Sequence, residues 1–220
     1  MSKLNCERKS CYDVFNSFLV ANSTYVGMFE IPEIKATYDI PNKLISFSEA
    51  ISCREYNQWI HFYEDDYKFE RIWRNPKRYL AILKRFNGVI LPDFSLYRDM
   101  PFVMQVWNIY RSRAIGVWLQ KNGVRIIPNL RFGDERTYNI CCDGISSNCT
   151  IALGTHGSLK GKEDRDIILK GVDVIVENLQ PKVIVIYGCA PDRYFDKYKR
   201  IGIKIVRFES DFAKSHKEKA

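Results

Sequence analysis

An α/β fold with a mostly parallel sheet of six to seven strands is predicted by three observations on the chain. Apolar runs alternate with helix-period segments at least four times, which is the pattern of successive βαβ units. The runs Thr150–Leu153 and Val183–Tyr187 are too apolar to face water, as strands covered on both faces are. Gly88-Val89-Ile90-Leu91-Pro92-Asp93 and Val124-Arg125-Ile126-Ile127-Pro128-Asn129 end alike, each stopping at proline and then presenting a short polar side chain. An open doubly wound sheet with helical crossovers is the preferred expectation, and an incomplete β/α barrel is the second.

Residues 1–43 are irregular and read as a cap on the core, with a short helix around Tyr12 to Leu19 and a strand at Tyr25 to Ile31. The core is expected over 44–212 and a frayed tail over 213–220. Leu44 to Ser48 is the first core strand and ends at Glu49. Tyr56 to Trp73, which includes Glu64-Asp65-Asp66, is aromatic and charged and yields no regular element. Asn75-Pro76 then starts a helix, because Asn caps free N–H groups and Pro fits the first turn. Tyr79, Leu80, Ile82, Leu83 and Phe86 fall mostly on its apolar face, Asn87-Gly88 closes it, and the strand Val89 to Leu91 follows.

The clearest helix is expected to be capped by Asp99. On it Val103, Val106, Trp107, Tyr110, Ala114, Val117 and Trp118 recur at helical spacing up to Asn122-Gly123. The strands Val124–Ile127 and Thr150–Leu153, a helix from about Glu163 to Leu179 and the strand Val183–Tyr187 come next. A short helix opened by Pro191 and a last strand at Ile203–Val206 complete the order.

Composition narrows the function classes. Hydrophobic residues make up 46% and charged residues 27%, ordinary for a globular domain. No apolar run approaches the roughly 18 residues of a membrane span. The first 22 residues are broken by Cys6, Glu7, Arg8, Lys9 and Asp13, unlike a signal peptide, so a cytoplasmic protein without a membrane partner is expected. The seven cysteines are odd in number and irregularly spaced, as reduced thiols are. Cys141, Cys142 and Cys149 are the one close group, and they lack the spacing and histidine of a zinc site. The formal net charge is +8, and between Lys68 and Arg85 seven basic residues face the single acid Glu70.

The run from Ile72-Trp73-Arg74-Asn75-Pro76 through Pro92-Asp93-Phe94-Ser95-Leu96-Tyr97-Arg98-Asp99-Met100-Pro101 resembles a family of Gram-positive bacteria, their phages and mobile elements, domain of unknown function 4417. Pro128-Asn129 with Arg131, Gly133-Asp134-Glu135-Arg136-Thr137, and Thr155-His156-Gly157 with Glu163-Asp164-Arg165 extend the likeness over roughly residues 46–209. Members often carry Trp where this chain has Phe132. The resemblance implies a setting among mobile elements more than a chemistry, and the cofactor is left unknown.

On a parallel sheet Glu49, Asp93, Asn129, Thr155, His156, Gly188 and Glu209 lie at or just past strand C-termini, where such folds place their sites. Asp93 and His156 are the acid–base candidates. Arg131 and Arg136 are candidate anion clamps, and Asn129 and Thr155 candidate ligand contacts, for a phosphorylated or nucleotide-like molecule. Asp93 and Asn129 read equally well as turn formers after proline. Gly154-Thr155-His156-Gly157-Ser158 offers backbone amides to an anion but matches neither the Walker nor the dinucleotide fingerprint. Asp134-Glu135-Arg136 and Asp164-Arg165 are expected to pair as ions over the sheet edge. Oxygen ligands at Asp93, Asp99, Asp134 and Glu135 would suit magnesium or manganese, but no spacing demands a metal. Arg71, Arg74, Lys77, Arg78 and Arg85, interleaved with Phe69, Trp73, Tyr79 and Phe86, are the alternative, a face for nucleic acid or a host protein.

Overall fold

A computed structural model of the chain describes residues 13–155, 159, 161–211 and 213. A 3-10 turn at Ser17–Val20 precedes an antiparallel pair, β1 (Tyr25–Val26) and β2 (Ile31–Pro32). The single strand expected over Tyr25–Ile31 is therefore a hairpin. Gly27 (φ +73) and Glu30 (φ 51), both in the left-handed region, turn the chain back on itself.

Seven parallel strands follow. β3 (Leu44–Ser46), β4 (Trp59–His61), β5 (Gly88–Ile90) and β6 (Ile126–Ile127) form a four-stranded sheet in that order. β7 (Thr150–Gly154), β8 (Val183–Tyr187) and β9 (Lys204–Phe208) form a second, three-stranded one. Six helices lie between them among the described residues: α1 (Phe47–Ala50), α2 (Asp66–Arg74), α3 (Pro76–Leu83), α4 (Phe102–Lys121), α5 (Lys162–Leu179) and α6 (Asp192–Arg200).

The expected single sheet is thus two parallel sheets of four and three strands. Their edges meet at one parallel bridge, Asn129–Ala152, flanked by bonds from Ala152 N to Pro128 O and from Leu130 N to Ala152 O. Ile127 O accepts from Leu91 N just past β5, whereas Pro128 faces the other way, accepting from Ala152 N and, without an N–H, giving no bond back towards β7. Strand order runs straight through each sheet, and neither contains the reversal that defines a doubly wound fold. An apolar cluster of Trp59, Ile90, Ile127, Ala152, Val183 and Val185 draws on both sheets. Gly88 opens β5 because the Trp59 ring would lie 2.3 Å from any Cβ there.

Two elements depart from expectation for physical reasons. β4 and α2 lie inside the stretch that read as irregular. β4 is only three residues long, and α2 buries just Phe69, Ile72 and Trp73, so neither gives a long periodic signal. α4 starts after Pro101 rather than at an Asp99 cap. Its expected apolar face is split: Val103 is 73% exposed, while Gln105, Asn108, Arg111, Ser112 and Arg113 are buried. This helix is enclosed on most sides, and its inward polar groups hold the loops that leave the strands. No helix among the described residues is long and apolar enough to cross a membrane.

Candidate functional site

The two proline-terminated strands place Asp93 and Asn129 side by side. Asn129 Nδ2 donates to Asp93 Oδ1 at 2.7 Å, and Tyr63, just past β4, donates its hydroxyl to Asn129 Oδ1 at 2.9 Å. Arg131 reaches Asp93 Oδ2 at 3.6 Å. These four side chains form one chain of polar contacts at the C-terminal edge. The alternative that Asp93 and Asn129 serve only their own turns does not describe these bonds, which join residues 36 and 66 positions apart.

The loops are held from behind by α4. Ser112 Oγ donates to Pro92 O at 3.0 Å, and Asn108 Nδ2 donates to Ser95 O at 2.7 Å. The Arg111 guanidinium lies 3.8 Å from the centroid of Phe94 and bonds Glu70 through Nη1 at 2.8 Å. Arg113 is 1% exposed and donates to three backbone carbonyls, those of Asn129, Cys141 and Asp143. Burial pulls its pKa down to about 10. α2 contributes Asp66, which accepts from Ser95 N and Ser95 Oγ. Both loops therefore rest on a fixed helical frame.

A cavity of about 650 Å³ opens over this edge. Ser46, Tyr63, Asp93, Arg131, Gly154, Tyr187 and Ser210 line it, one from the end of each parallel strand or the loop after it. Five carboxylates, Glu49, Glu64, Asp65, Asp93 and Asp211, stand there against two cations, Lys68 and Arg131. Tyr63 stacks on Tyr187 with centroids 4.7 Å apart and planes 11° apart. Gly154 lets the Tyr63 ring approach the β7 backbone, since a Cβ would sit 3.0 Å from it.

Burial raises the Asp93 pKa, and the Arg131 charge and the Asn129 bond only partly oppose it. Burial and then the Asp93 charge raise that of the Tyr63 phenol well above the ordinary value. Arg131 Nε is buried and has no hydrogen-bond partner among the described residues. The arrangement can exchange a proton at Asp93 and accept an anionic group at Arg131.

The remaining expected residues are placed differently. Thr155 is buried, and its hydroxyl donates to Cys189 O at 2.7 Å. Arg136 is tied to Asp134 at 2.7 Å and to Arg98 O at 2.9 Å, and does not line the cavity. Asp164 pairs with Arg98 at 3.0 Å, while Arg165 lies near the ring of Tyr194. His156 lies outside the described residues. Cys141, Cys142 and Cys149 are buried thiols, and no group of three His, Cys, Asp or Glu among the described residues could hold a metal ion. Of the basic stretch, Arg71 turns inward over the rings of Phe47 and Tyr79, whereas Arg74, Lys77, Arg78 and Arg85 are exposed.

Tyr63, Ser95, Asp66, Tyr187 and Arg113 escaped the sequence reading. One signal for Tyr63 was present: the largely apolar run Trp59-Ile60-His61-Phe62 directly precedes it.

The chain matches the family model described as Domain of unknown function (DUF4417) over residues 23–209. It belongs to that family. The DUF4417 match begins upstream of β1 and so takes in the hairpin as well as all seven parallel strands. The chain is similar to the Gene 1 protein of Mycobacterium phage D29, at 33% identity over 80% of this chain and 66% of the relative. It is also similar to the Gene 1 protein of Mycobacterium phage L5, at 32% identity over 80% of this chain and 78% of the relative. The chain thus spans just under two thirds of the first relative's length. DUF4417 here is a phage family of unknown function, and no solved structure matches the chain.

Proposed function

We propose that this DUF4417 chain is a ligand-binding or enzymatic domain that takes a small polar molecule into the mouth at the strand C-termini. The observation that carries this reading is the convergence of all seven strand ends on one cavity around a carboxyl of raised pKa. On this reading the two sheets work as one incomplete β/α barrel, a fold whose catalytic groups sit at that end. Asp93 is the proton-exchanging group, Asn129 and Tyr63 fix its orientation, and Arg131 is the contact for an anionic substituent.

The excess of carboxylates favours a ligand rich in hydrogen-bond donors. The phosphate of a phosphorylated or nucleotide-like molecule has Arg131 and Lys68 as its cationic partners in the cavity. Thr155 and Arg136, buried in a backbone contact and held by Asp134 respectively, have less to offer such a molecule.

The test is a thermal-shift screen of nucleosides, nucleoside monophosphates and sugar phosphates on the wild type and on Asp93→Asn. At least one compound is expected to stabilise the wild type and to lose affinity at least about tenfold in the variant, whose fold persists. Equal stabilisation of both proteins would remove Asp93 from the site. A panel without a ligand would count against the phosphorylated and nucleotide-like classes.

A further inference from the structure

We propose that the opposite end of the molecule, where the parallel strands begin, is a nucleic-acid-binding surface. The strands run in one direction and in register, so the residues that precede them gather at one end. Backbone bonds make neighbours of them there: Trp59 N donates to Lys43 O at 2.8 Å, Val89 N to Arg125 O at 2.9 Å, and Lys204 N to Lys182 O at 3.0 Å. The position before or at the start of four different strands is thus a lysine or arginine, and all four side chains are exposed. Arg54, in the loop before β4, is exposed as well.

Helix geometry explains part of this charge. Helix C-termini point to the same end and favour cations, which accounts for Lys84 and Arg85 after α3 and for Lys199 and Arg200 at the end of α6. It does not account for Arg54, Lys182 and Lys204, which sit on loops or strand starts. Those three have no ion pair among the described residues, whereas Lys43 pairs with Glu55 and Arg125 with Asp39. Arg74 at the end of α2 and Lys77 and Arg78 in the first turn of α3 are exposed as well.

Two features favour nucleic acid over an anionic membrane. The apolar face of α3, Tyr79 and Leu83, is buried, so that helix has nothing to insert into lipid. Arg85 lies 3.9 Å over the Tyr56 ring, and Arg54, Arg74 and Arg78 add guanidinium groups whose planar forks match phosphate oxygens. The acidic mouth repels a polyanion and so directs it to this end. The surface uses none of the residues assigned to the mouth and stands or falls independently of it.

The experiment measures binding of labelled single-stranded and duplex DNA of about 30 nucleotides by fluorescence anisotropy between about 50 and about 200 mM salt. Binding is expected, and for about five phosphate contacts it should weaken roughly several hundred-fold over that range. The triple variant Arg54→Glu, Lys182→Glu, Lys204→Glu should lose at least about tenfold in affinity with its thermal unfolding unchanged. Lys162→Glu, Lys170→Glu, Arg193→Glu makes the same charge change elsewhere and should bind within about twofold of the wild type. Equal loss in both variants would reduce the effect to net charge and overturn the surface. No binding at low salt would overturn it, and so would capture by phosphatidylserine vesicles with none by DNA.

Discussion

At the strand C-termini, charged and polar groups are held by one another and by α4: Asp93 by Asn129 and Arg131, and Asn129 in turn by Tyr63 and the buried Arg113. At the strand N-termini, Arg54, Lys182 and Lys204 stand in solvent without an ion pair among the described residues. The same parallel topology produces both ends. One end has fixed, partly desolvated groups whose protonation is shifted, as a site for a small molecule requires. The other has solvated charges that cost little to maintain and act only through their sum, as contact with a polyanion requires.

The sharpest test of the difference is Arg113→Met. Three carbonyls, two of them buried, lose their donor, and stability should fall by about 3 kcal/mol in urea unfolding. A neutral result would mean that desolvating the guanidinium costs as much as its bonds return, and the frame behind the mouth would be less rigid than described. Tyr63→Phe removes one hydrogen bond to Asn129 and should cost about 1 kcal/mol by the same measurement. A larger loss would show that the hydroxyl supports the whole polar chain.

Asp93→Asn should change the pH dependence rather than the fold. The Asp93 pKa is raised above 3.8 by burial, so the folded state binds a proton more tightly than the unfolded chain. Its contribution to stability is therefore greatest below the unfolded value and is lost as pH rises through the folded one. The stability of the wild type relative to Asp93→Asn should therefore decline between acid and neutral pH. Parallel curves would place Asp93 in an ordinary solvated setting. The smallest effect is expected at the other end, where Arg54→Glu, Lys182→Glu, Lys204→Glu should alter unfolding free energy by less than about 0.5 kcal/mol. A greater loss would make these charges structural and erase the contrast.

Most elements were legible because they are long or fully apolar. β8 matches its expected bounds, and α5 and β7 agree to within a residue at their ends. β4 was not legible, and with it went Tyr63, since three residues rich in aromatics carry no distinctive period. The buried polar side of α4 was also hidden. An arginine in a helix reads as solvated until the carbonyls that receive it are known, and those of Arg113 lie 16 to 30 residues away.

The sequence by itself determined the α/β class, the alternation of parallel strands with helices, and the strand C-terminal edge as the place of Asp93, Asn129 and Arg131. Local propensity and periodicity are short-range properties, and they suffice for that much. Only the tertiary structure decided the straight strand order, the break into four and three strands, and the linkage of Tyr63 to Asn129 and Asp93. It alone separated an acidic mouth from a basic base. Each of these depends on which distant segments are neighbours, a relation set by packing the whole core that no local stretch of chain encodes.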